Sequence, residues 1–555
     1  MMSQCVSVRR VCGVRAALAA CTCLLAASSV LIPRTALSQQ IQGAIVSDPV
    51  TPEVFTQDLT TLEIAPPWQP GDPIGEIPLQ QDEDQSVPSA LISTARTSAG
   101  QPAPALATTL DPDAIGSPSM PTLNFEGISF GGLVPPDTNG DVGPNHYIQV
   151  VNVRFQIFNK QGGTLAGPFL INSLWAGFGG PCAAQNGGDP IVNYDPLADR
   201  WLLSQITPFS TTFHECIAIS RTGDPVHGGW FLYDFQLHAV NDYPKIGVWP
   251  DAYYLTSQRG FPGAGLQLVA FDRAQMLNGN PATFQTFFLS PPSLVLLPSD
   301  LDGPAPPLGT PNFLAREVDG DLWGGVDRVE LFALSINWAN PALSTLSALP
   351  SLPTAPFDSV LCTAGNLNDN CVPQPGTSVL LETSPNWPMW RLQYRNFGTH
   401  ETLVFNHTVN VAGTRPGRAG VRWYELRRPP GGAWTIFQQG TQSPDSTLHR
   451  WMGSIAMDRF GSIALGYSVS SFHVFPQIRY TTRASTDPPG TFSDEVTLVQ
   501  GTGSQTITSR WGDYSSMNVD PVDECTFWYT QEYMVAGGLW RTRIGTFHEM
   551  NSPCR

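Results

Sequence analysis

Two stretches decide the architecture: HRWMGSIAMDRFGSIALGYS, His449–Ser468, and SRWGDYSSMNVDPVDECTFWYTQ, Ser509–Gln531. Each runs Arg-Trp, a turn of small residues, an alternating segment ending in Asp, a second turn, and an apolar strand that ends polar. Arg450 and Arg510 are sixty residues apart. Alternation over short segments is the signature of a half-buried strand, and Asp, Gly and Pro between two such segments mark a hairpin. The chain therefore repeats one hairpin.

Further copies lie upstream. VGPNHYIQVVN starts at Val142 and VWPDAYYLTSQ at Val248, with Pro144, Asn145 and Tyr147 matching Pro250, Asp251 and Tyr253. VNYDPLADRWLLSQ lies between them, and Asp195, Asp458 and Asp520 stand nine residues before Ser204, Tyr467 and Tyr529. The anchors Val142, Tyr194 and Val248 are 52 and 54 residues apart, and Met457 and Val519 are 62 apart. The gap between Val248 and Met457 holds two less regular units, separated by a Pro/Ser/Leu-rich insertion at about 339–385. A repeat near fifty residues with four strands predicts an all-β fold, a single β-propeller of about seven blades, with six or eight compatible with the same spacing. One four-stranded sheet cannot cover both its faces, whereas a ring of sheets covers each with its neighbour. The domain is expected to span 121–555 and to close by pairing LNFEGISF with WRTRIGTF. A pair of β-sandwich domains is the alternative architecture.

Composition agrees. Charged residues make up 14% of the chain, aromatics 10%, and Gly and Pro number 51 each, a balance that favours strands and turns over helices. Residues 1–38 read as a signal peptide: Arg9, Arg10 and Arg15, an apolar run, then Ala36–Ser38 as a small-residue cleavage site. This predicts a secreted or periplasmic protein. A lipid anchor is disfavoured, because the LAAC at Leu18–Cys21 lies too close to Arg15. Removing that segment takes away four arginines and changes the net charge from −17 to −21. Such a surface repels nucleic acid and anionic membranes. Residues 39–120 are rich in Pro, Ala, Ser, Thr and acids and lack periodicity, so they are expected to form a disordered leader. The remaining cysteines are Cys182, Cys216, Cys362, Cys371, Cys525 and Cys554. An even number in an exported chain predicts disulfides, and proximity favours 182–216, 362–371 and 525–554.

Several of these phrases also carry a family likeness. PPDTNGDVGPNHYIQVVN, GGDPIVNYDPLADRWLLSQ, MWRLQYRNFGTHETLVFNHTVN, HRWMGSIAMD and DECTFWYTQEY resemble segments of an uncharacterised family of exported bacterial β-propeller proteins, loosely sialidase-like. The resemblance covers Asn124 to the C-terminus and implies a propeller without assigning catalytic residues. Ser-x-Asp-x-Gly-x-x-Trp boxes, which sialidases carry, do not occur in the chain.

If the recurring Arg-Trp stands at the start of each innermost strand, the repeats deliver related side chains to one mouth of the channel. That set is Asp189, Asp242, Lys245, His449, Arg450, Trp451, Arg510, Trp511, Asp513 and Tyr514. Arginine offers a planar fork for carboxylate, sulfate or phosphate, and Trp and Tyr offer flat faces for sugar rings. The competing reading is that Arg-Trp pins neighbouring blades and the acids pair with it. Asp137, Asn139, Asp141 and Asn145 stand at positions 1, 3, 5 and 9 of DTNGDVGPN, a pattern of oxygen ligands that suits calcium. Val142 occupies the position where a calcium loop has Gly, and an Asx turn is the alternative. No zinc helix or phosphate loop occurs in the sequence. The chain is thus expected to be a binding platform for a glycan or extracellular protein. The alternative is a glycan-active enzyme of sialidase or polysaccharide-lyase type, with carboxylates drawn from Asp189, Asp242 and Asp513. Oligomeric state is left open.

Overall fold

A computed structural model describes residues 43–77, 119–207, 212–259, 265–289, 295–362, 370–385 and 387–554. The expected signal peptide and residues 78–118 of the expected leader lie outside the described residues. The described chain is built of antiparallel strand meanders, with short helices only in connections.

The first strand of each meander is labelled in chain order: β1 (Asn139–Val142), β2 (Ile191–Asp195), β3 (Asp242–Val248), β4 (Leu297–Asp302), β5 (Pro388–Asn396), β6 (His449–Met457) and β7 (Ser516–Val519). Each packs against the next, and β7 packs against β1. The sheets thus form a β-propeller whose first strands line the channel. The sequence anchors fall at the ends of these strands: Val142 ends β1, Tyr194 is one residue short of the end of β2, and Val248, Met457 and Val519 end β3, β6 and β7. Closure follows the expected pairing. Leu123–Ser129 joins Leu539–Phe547 antiparallel, with Phe125 opposite Ile544. The first-blade Tyr147 then stacks on the last-blade Trp528 with ring centroids 5.0 Å apart.

Neighbouring channel strands lie edge to edge, and only β4 and β5 pair through their backbones, in parallel. Elsewhere polar side chains bridge the gap. Asn139 Oδ1 accepts from Val192 N at 3.0 Å and Asp141 Oδ2 from Tyr194 N at 2.7 Å. Asp189 Oδ2 accepts from Tyr243 N at 2.9 Å, and Asp300 Oδ1 from Val248 N at 2.9 Å. Gln393 accepts from Met457 N at 2.5 Å and donates to Met457 O at 3.0 Å. Ser454 Oγ accepts from Met517 N at 2.9 Å, and Ser516 Oγ donates to Gly140 O at 2.7 Å. Buried backbone groups demand partners, so the polar residues of these strands complete the ring.

Large aromatics fill the spaces farther out. Trp201, Trp230, Trp249, Trp423 and Trp528 are all buried, as expected for packing between sheets, while Trp338 is half-buried. The disulfides join Cys182 to Cys216, Cys362 to Cys371 and Cys525 to Cys554. Such bonds persist in oxidising compartments. No helix among the described residues is long and apolar enough to cross a membrane.

One expectation is corrected. Residues 43–77, assigned to a disordered leader, are laid along the sheets. Ile45–Val46 pairs with the outer strand Phe284–Leu289, Glu53–Phe55 with Trp230–Leu237, and Gly75–Glu76 runs parallel to Leu133–Val134. The segment has too little apolar surface to fold alone, but the sheets supply it. Phe55 and Leu59 pack in the cluster that contains Trp230, and the added strands cover edges that would otherwise be bare.

Gln393→Ala would orphan the buried amide of Met457, while the Met457 carbonyl keeps Arg395 Nε at 3.2 Å. The substitution is expected to destabilise the fold by about 1–3 kcal/mol, seen as a lowered urea midpoint at unchanged m-value. Gln156→Ala, at an exposed Gln156–Thr164 contact, is expected to stay within about 0.5 kcal/mol of the parent.

Candidate functional site

The starts of the channel strands share an uncommon backbone. Asp137, Asp189 and Tyr243 have φ of 45°, 49° and 52°, and Met452 and Ser384 have 49° and 40°. A left-handed conformation is rare for side chains of this kind and costs about 1–3 kcal/mol, and such residues concentrate at functional sites. Asp137, Asp189 and Tyr243 follow one another at 52 and 54 residues, the same period as the strands. The turn therefore recurs blade by blade and aims successive side chains at one end of the channel.

What gathers there is an ionic cluster. Lys245 and Arg510 face Asp137, Asp189, Asp242, Asp513 and Glu382, and all seven side chains are buried. Lys245 Nζ lies 3.2 Å from the Tyr243 ring centroid and 4.2 Å from that of Tyr514, and donates to Pro244 O at 3.0 Å. Arg510 spends its fork on three partners: Glu382 Oε2 at 2.8 Å, Asp513 Oδ1 at 3.2 Å and the Ile77 carbonyl at 2.9 Å. Asp513 N donates to Asp137 Oδ1 at 2.8 Å, and Asn152 Nδ2 to Asp137 Oδ2 at 2.6 Å. Tyr514 donates to Pro190 O at 3.2 Å and Tyr243 to Asp513 O at 3.2 Å.

With more acids than bases, protons must be shared. Burial, reinforced by Asp242 and Asp513, pushes the Asp189 carboxyl up to about 7, with Lys245 and the Tyr243 amide opposing. Burial also pushes Lys245 down to about 7, against the pull of Asp189, Asp513, Asp137 and Asp242. Asp137 is raised well above the ordinary carboxylate range by burial and by Asp513 and Asp189. Burial works against the Arg510 charge, but Glu382, Asp513 and Asp137 outweigh it and hold the guanidinium above its ordinary value.

The cluster is covered. Gly75 N donates to Gly132 O and Ile77 N to Val134 O, both at 2.8 Å, which lays Ile77 against Arg510. From the other side the expected insertion returns to the channel. Glu382 N donates to Ser509 O at 3.0 Å, and Trp387 packs on Tyr243 with ring centroids 4.4 Å apart.

Six of the sequence-derived candidates thus come together or lie directly beneath: Asp189, Asp242, Lys245, Arg510, Asp513 and Tyr514. Trp511 and Trp451 form the apolar floor, with centroids 5.6 Å apart and both fully buried. His449 and Arg450 do not join them. His449 Nδ1 accepts from Ala419 N at 3.3 Å in the preceding sheet, and burial, with Arg418 and Arg450, pushes its imidazole down to about 4. Arg450 is fully buried and binds Glu495 Oε1 at 2.5 Å and Oε2 at 2.9 Å, alongside Asp445, while Tyr467 donates to the same Glu495 at 2.6 Å. This arginine pins its own sheet. Tyr243 and Glu382 were not among the candidates. The fifty-odd-residue period points to Tyr243 at the position following Asp189, whereas Glu382 sits in the insertion, where no repeat exists to mark it.

The calcium reading is corrected. Asn139 and Asp141 lie in strand β1, and their oxygens accept the backbone amides of Val192, Tyr194 and Val142. Asp137 is likewise spent on Asp513 and Asn152, and Asn145 is exposed in a turn. These oxygens point to different partners instead of converging on an ion. Among the described residues, Asp523, Cys525 and Cys554 also lie close together, but both sulfurs are in a disulfide and cannot serve as thiolate ligands.

At the opposite channel mouth a small cavity is lined by Asp141, Tyr194, Asp302, Arg395, Asp520 and Glu524. Its charges pair internally: Arg395 with Glu524 at 2.7 Å, and Lys160 with Asp520.

No family model matches the chain, and no curated protein is found similar to it in sequence. The family resemblance therefore rests on the quoted phrases. Among solved structures, an α-L-arabinofuranosidase from Fusarium graminearum is similar over 74% of this chain and 92% of its own, at 10% identity and a TM-score of 0.32. A neuraminidase-like protein of a bat influenza A virus is similar over 66% and 94%, at 9% identity and 0.32. A fungal alcohol oxidase in complex with copper is similar over 78% and 76%, at 9% identity and 0.41. At these values no residue role passes from them to this chain.

The shared protons give stability a pH dependence. Asp189 is raised above its unfolded value, so its contribution is full below about 4 and is lost as pH rises through about 7. Lys245 is depressed, so its contribution is present above about 10 and is lost as pH falls through about 7. Asp189→Asn should flatten the urea midpoint between about pH 4 and 7, and Lys245→Met between about pH 7 and 10.

Proposed function

We propose that the protein is an exported, seven-bladed β-propeller that acts enzymatically on glycans, with the covered channel cluster as its acid–base centre. The observation that carries this reading is the convergence of Asp137, Asp189, Asp513, Lys245, Arg510 and Tyr514 on one channel end, held there by left-handed backbone turns. Cleavage of a glycosidic bond needs one carboxyl that keeps its proton near neutrality and one that is ionised. Asp189, poised at about 7, suits the acid role, and Asp513, beside Arg510, suits the ionised one. Lys245, brought to about 7, would serve as a base in the lyase variant of the same reading. A sugar reaches these groups only when Ile77, Glu382 and Trp387 move aside.

The second reading, a binding platform for a glycan or extracellular protein, draws on a different observation. Every charge of Arg510 is already taken, and Trp451 and Trp511 are packed away, so the cluster would then serve as a rigid plug. Export rests on the basic and apolar N-terminal segment together with the disulfides.

A panel of sialosides, uronate polymers and sulfated glycans separates the two. The enzymatic reading expects turnover that falls about 100-fold or more in Asp189→Asn, with the melting temperature retained. Binding without turnover, retained in Asp189→Asn, establishes the platform. Turnover that is unchanged in Asp189→Asn removes the channel cluster from catalysis.

A further inference from the structure

A second group of reactive side chains lies on the rim of the same channel end. The strand Phe213–Ser220 starts there, and Asn241, the neighbour of Asp242, donates from Nδ2 to the His214 carbonyl at 3.1 Å. His214 Nδ1 lies 2.5 Å from Asp234 Oδ1, and His214 Nε2 lies 3.0 Å from Thr212 Oγ1. The register explains the grouping. Cys216 stands opposite Asp234 and His214 opposite Gln236. Thr212, His214 and Cys216 alternate onto one face, and Asp234 sits diagonally from His214 on that face. The Cys182–Cys216 disulfide then pins the Gly180–Ala184 turn of helix over it. Gly180 lies close to the Asp234 carboxylate, since a Cβ there would stand 3.1 Å from Oδ2.

We propose that Thr212, His214 and Asp234 form a nucleophile, base and orienting acid that hydrolyse small carboxylic esters. An Asp at Nδ1 keeps the ring proton there and leaves the Nε2 lone pair facing the hydroxyl. Both separations lie at or close to the range for a working set. The imidazole side chain is 10% exposed and the carboxylate 29%, so the group is partly desolvated yet open to solvent. In the first step Thr212 Oγ adds to the ester carbonyl carbon as Nε2 takes its proton. The tetrahedral adduct then breaks the bond to the leaving alcohol, which receives that proton from Nε2. Water, deprotonated by Nε2, next adds to the acyl-threonine carbon. Collapse returns the proton to Thr212 Oγ and releases the carboxylic acid. A secondary alcohol is crowded, so short, unhindered acyl groups are the substrates. The proposal is independent of the channel cluster, which shares no side chain with it.

The test uses the full exported chain and p-nitrophenyl acetate. Hydrolysis is expected above the buffer rate and should fall about 100-fold or more in His214→Gln and Thr212→Val. Thr212→Ser should match or exceed the parent, because a primary hydroxyl is less hindered. Acid-quenched samples analysed by peptide mass spectrometry should carry one acetyl group on Thr212. Asp234→Asn should lower the rate and move the acid limb of the pH–rate profile. Far-UV circular dichroism and melting temperatures establish that each variant folds. Equal rates in the parent, Thr212→Val and His214→Gln, or acetyl found only on Lys160 or the N-terminal amine, overturn the proposal.

Discussion

The structure depends on a single constraint: strands that line a propeller channel lie beside one another without forming a continuous sheet, yet their backbone amides and carbonyls are buried. Each such group left without a partner costs about 1–3 kcal/mol, and a ring of strands exposes many. One junction, β4 with β5, is solved by direct parallel pairing. The others are solved by short polar side chains reaching across: Asn139, Asp141, Asp189, Asp300, Gln393, Ser454 and Ser516. Apolar residues at these places would pack but would strand the neighbouring backbone. The polarity of the channel strands is thus set by the fold before any ligand is considered.

That constraint explains which parts of the molecule are legible in sequence. The recurring phrase is the inner hairpin, where turn chemistry and strand alternation are both local, and so the ring, its closure and the disulfide pairs follow from spacing. The same phrase misleads about calcium. DTNGDVGPN presents oxygens at ligand spacing, but Asn139 and Asp141 are in extended backbone, and their partners are amides about fifty residues away. The fate of Arg450 is equally non-local, because Glu495 enters from the position just before the outer strand Val496–Val499 of its sheet. Arg510 resembles it in every local respect and ends in the central cluster, because Glu382 and Ile77 arrive from an insertion and from the leader. No repeat marks either of those segments. The leader fails to read as ordered for a related reason: its own apolar surface is too small, and the surface it needs belongs to sheets formed hundreds of residues later.

The cluster itself is expensive to assemble. Left-handed turns at Asp137, Asp189, Tyr243, Met452 and Ser384 each oppose folding, and burying charges opposes it further. A ring needs only a polar bridge at each junction, and Ser454 or Asn139 supplies one without a titratable group. Bridging alone therefore does not account for Lys245, Arg510 and their surplus of carboxyls. The surplus forces protons to be shared, and a shared proton near neutrality is the one property of the cluster that a neutral plug would lack. The folding free energy that sustains it must come from elsewhere, chiefly the tryptophans and tyrosines buried between the sheets and the closure of the first sheet onto the last.

The covering segments fit the same balance. Ile77, Glu382 and Trp387 lie against the cluster, and burial is the first cause of the shifts at Asp189 and Lys245. Cover and shift are consequently one phenomenon. Admitting water would weaken the burial that shifts both groups, moving Asp189 toward its ordinary carboxylate value and Lys245 toward its ordinary amine value. By contrast, His214 and Asp234 on the rim lie partly in solvent and are placed by strand register beside the Cys182–Cys216 disulfide, apart from the buried cluster.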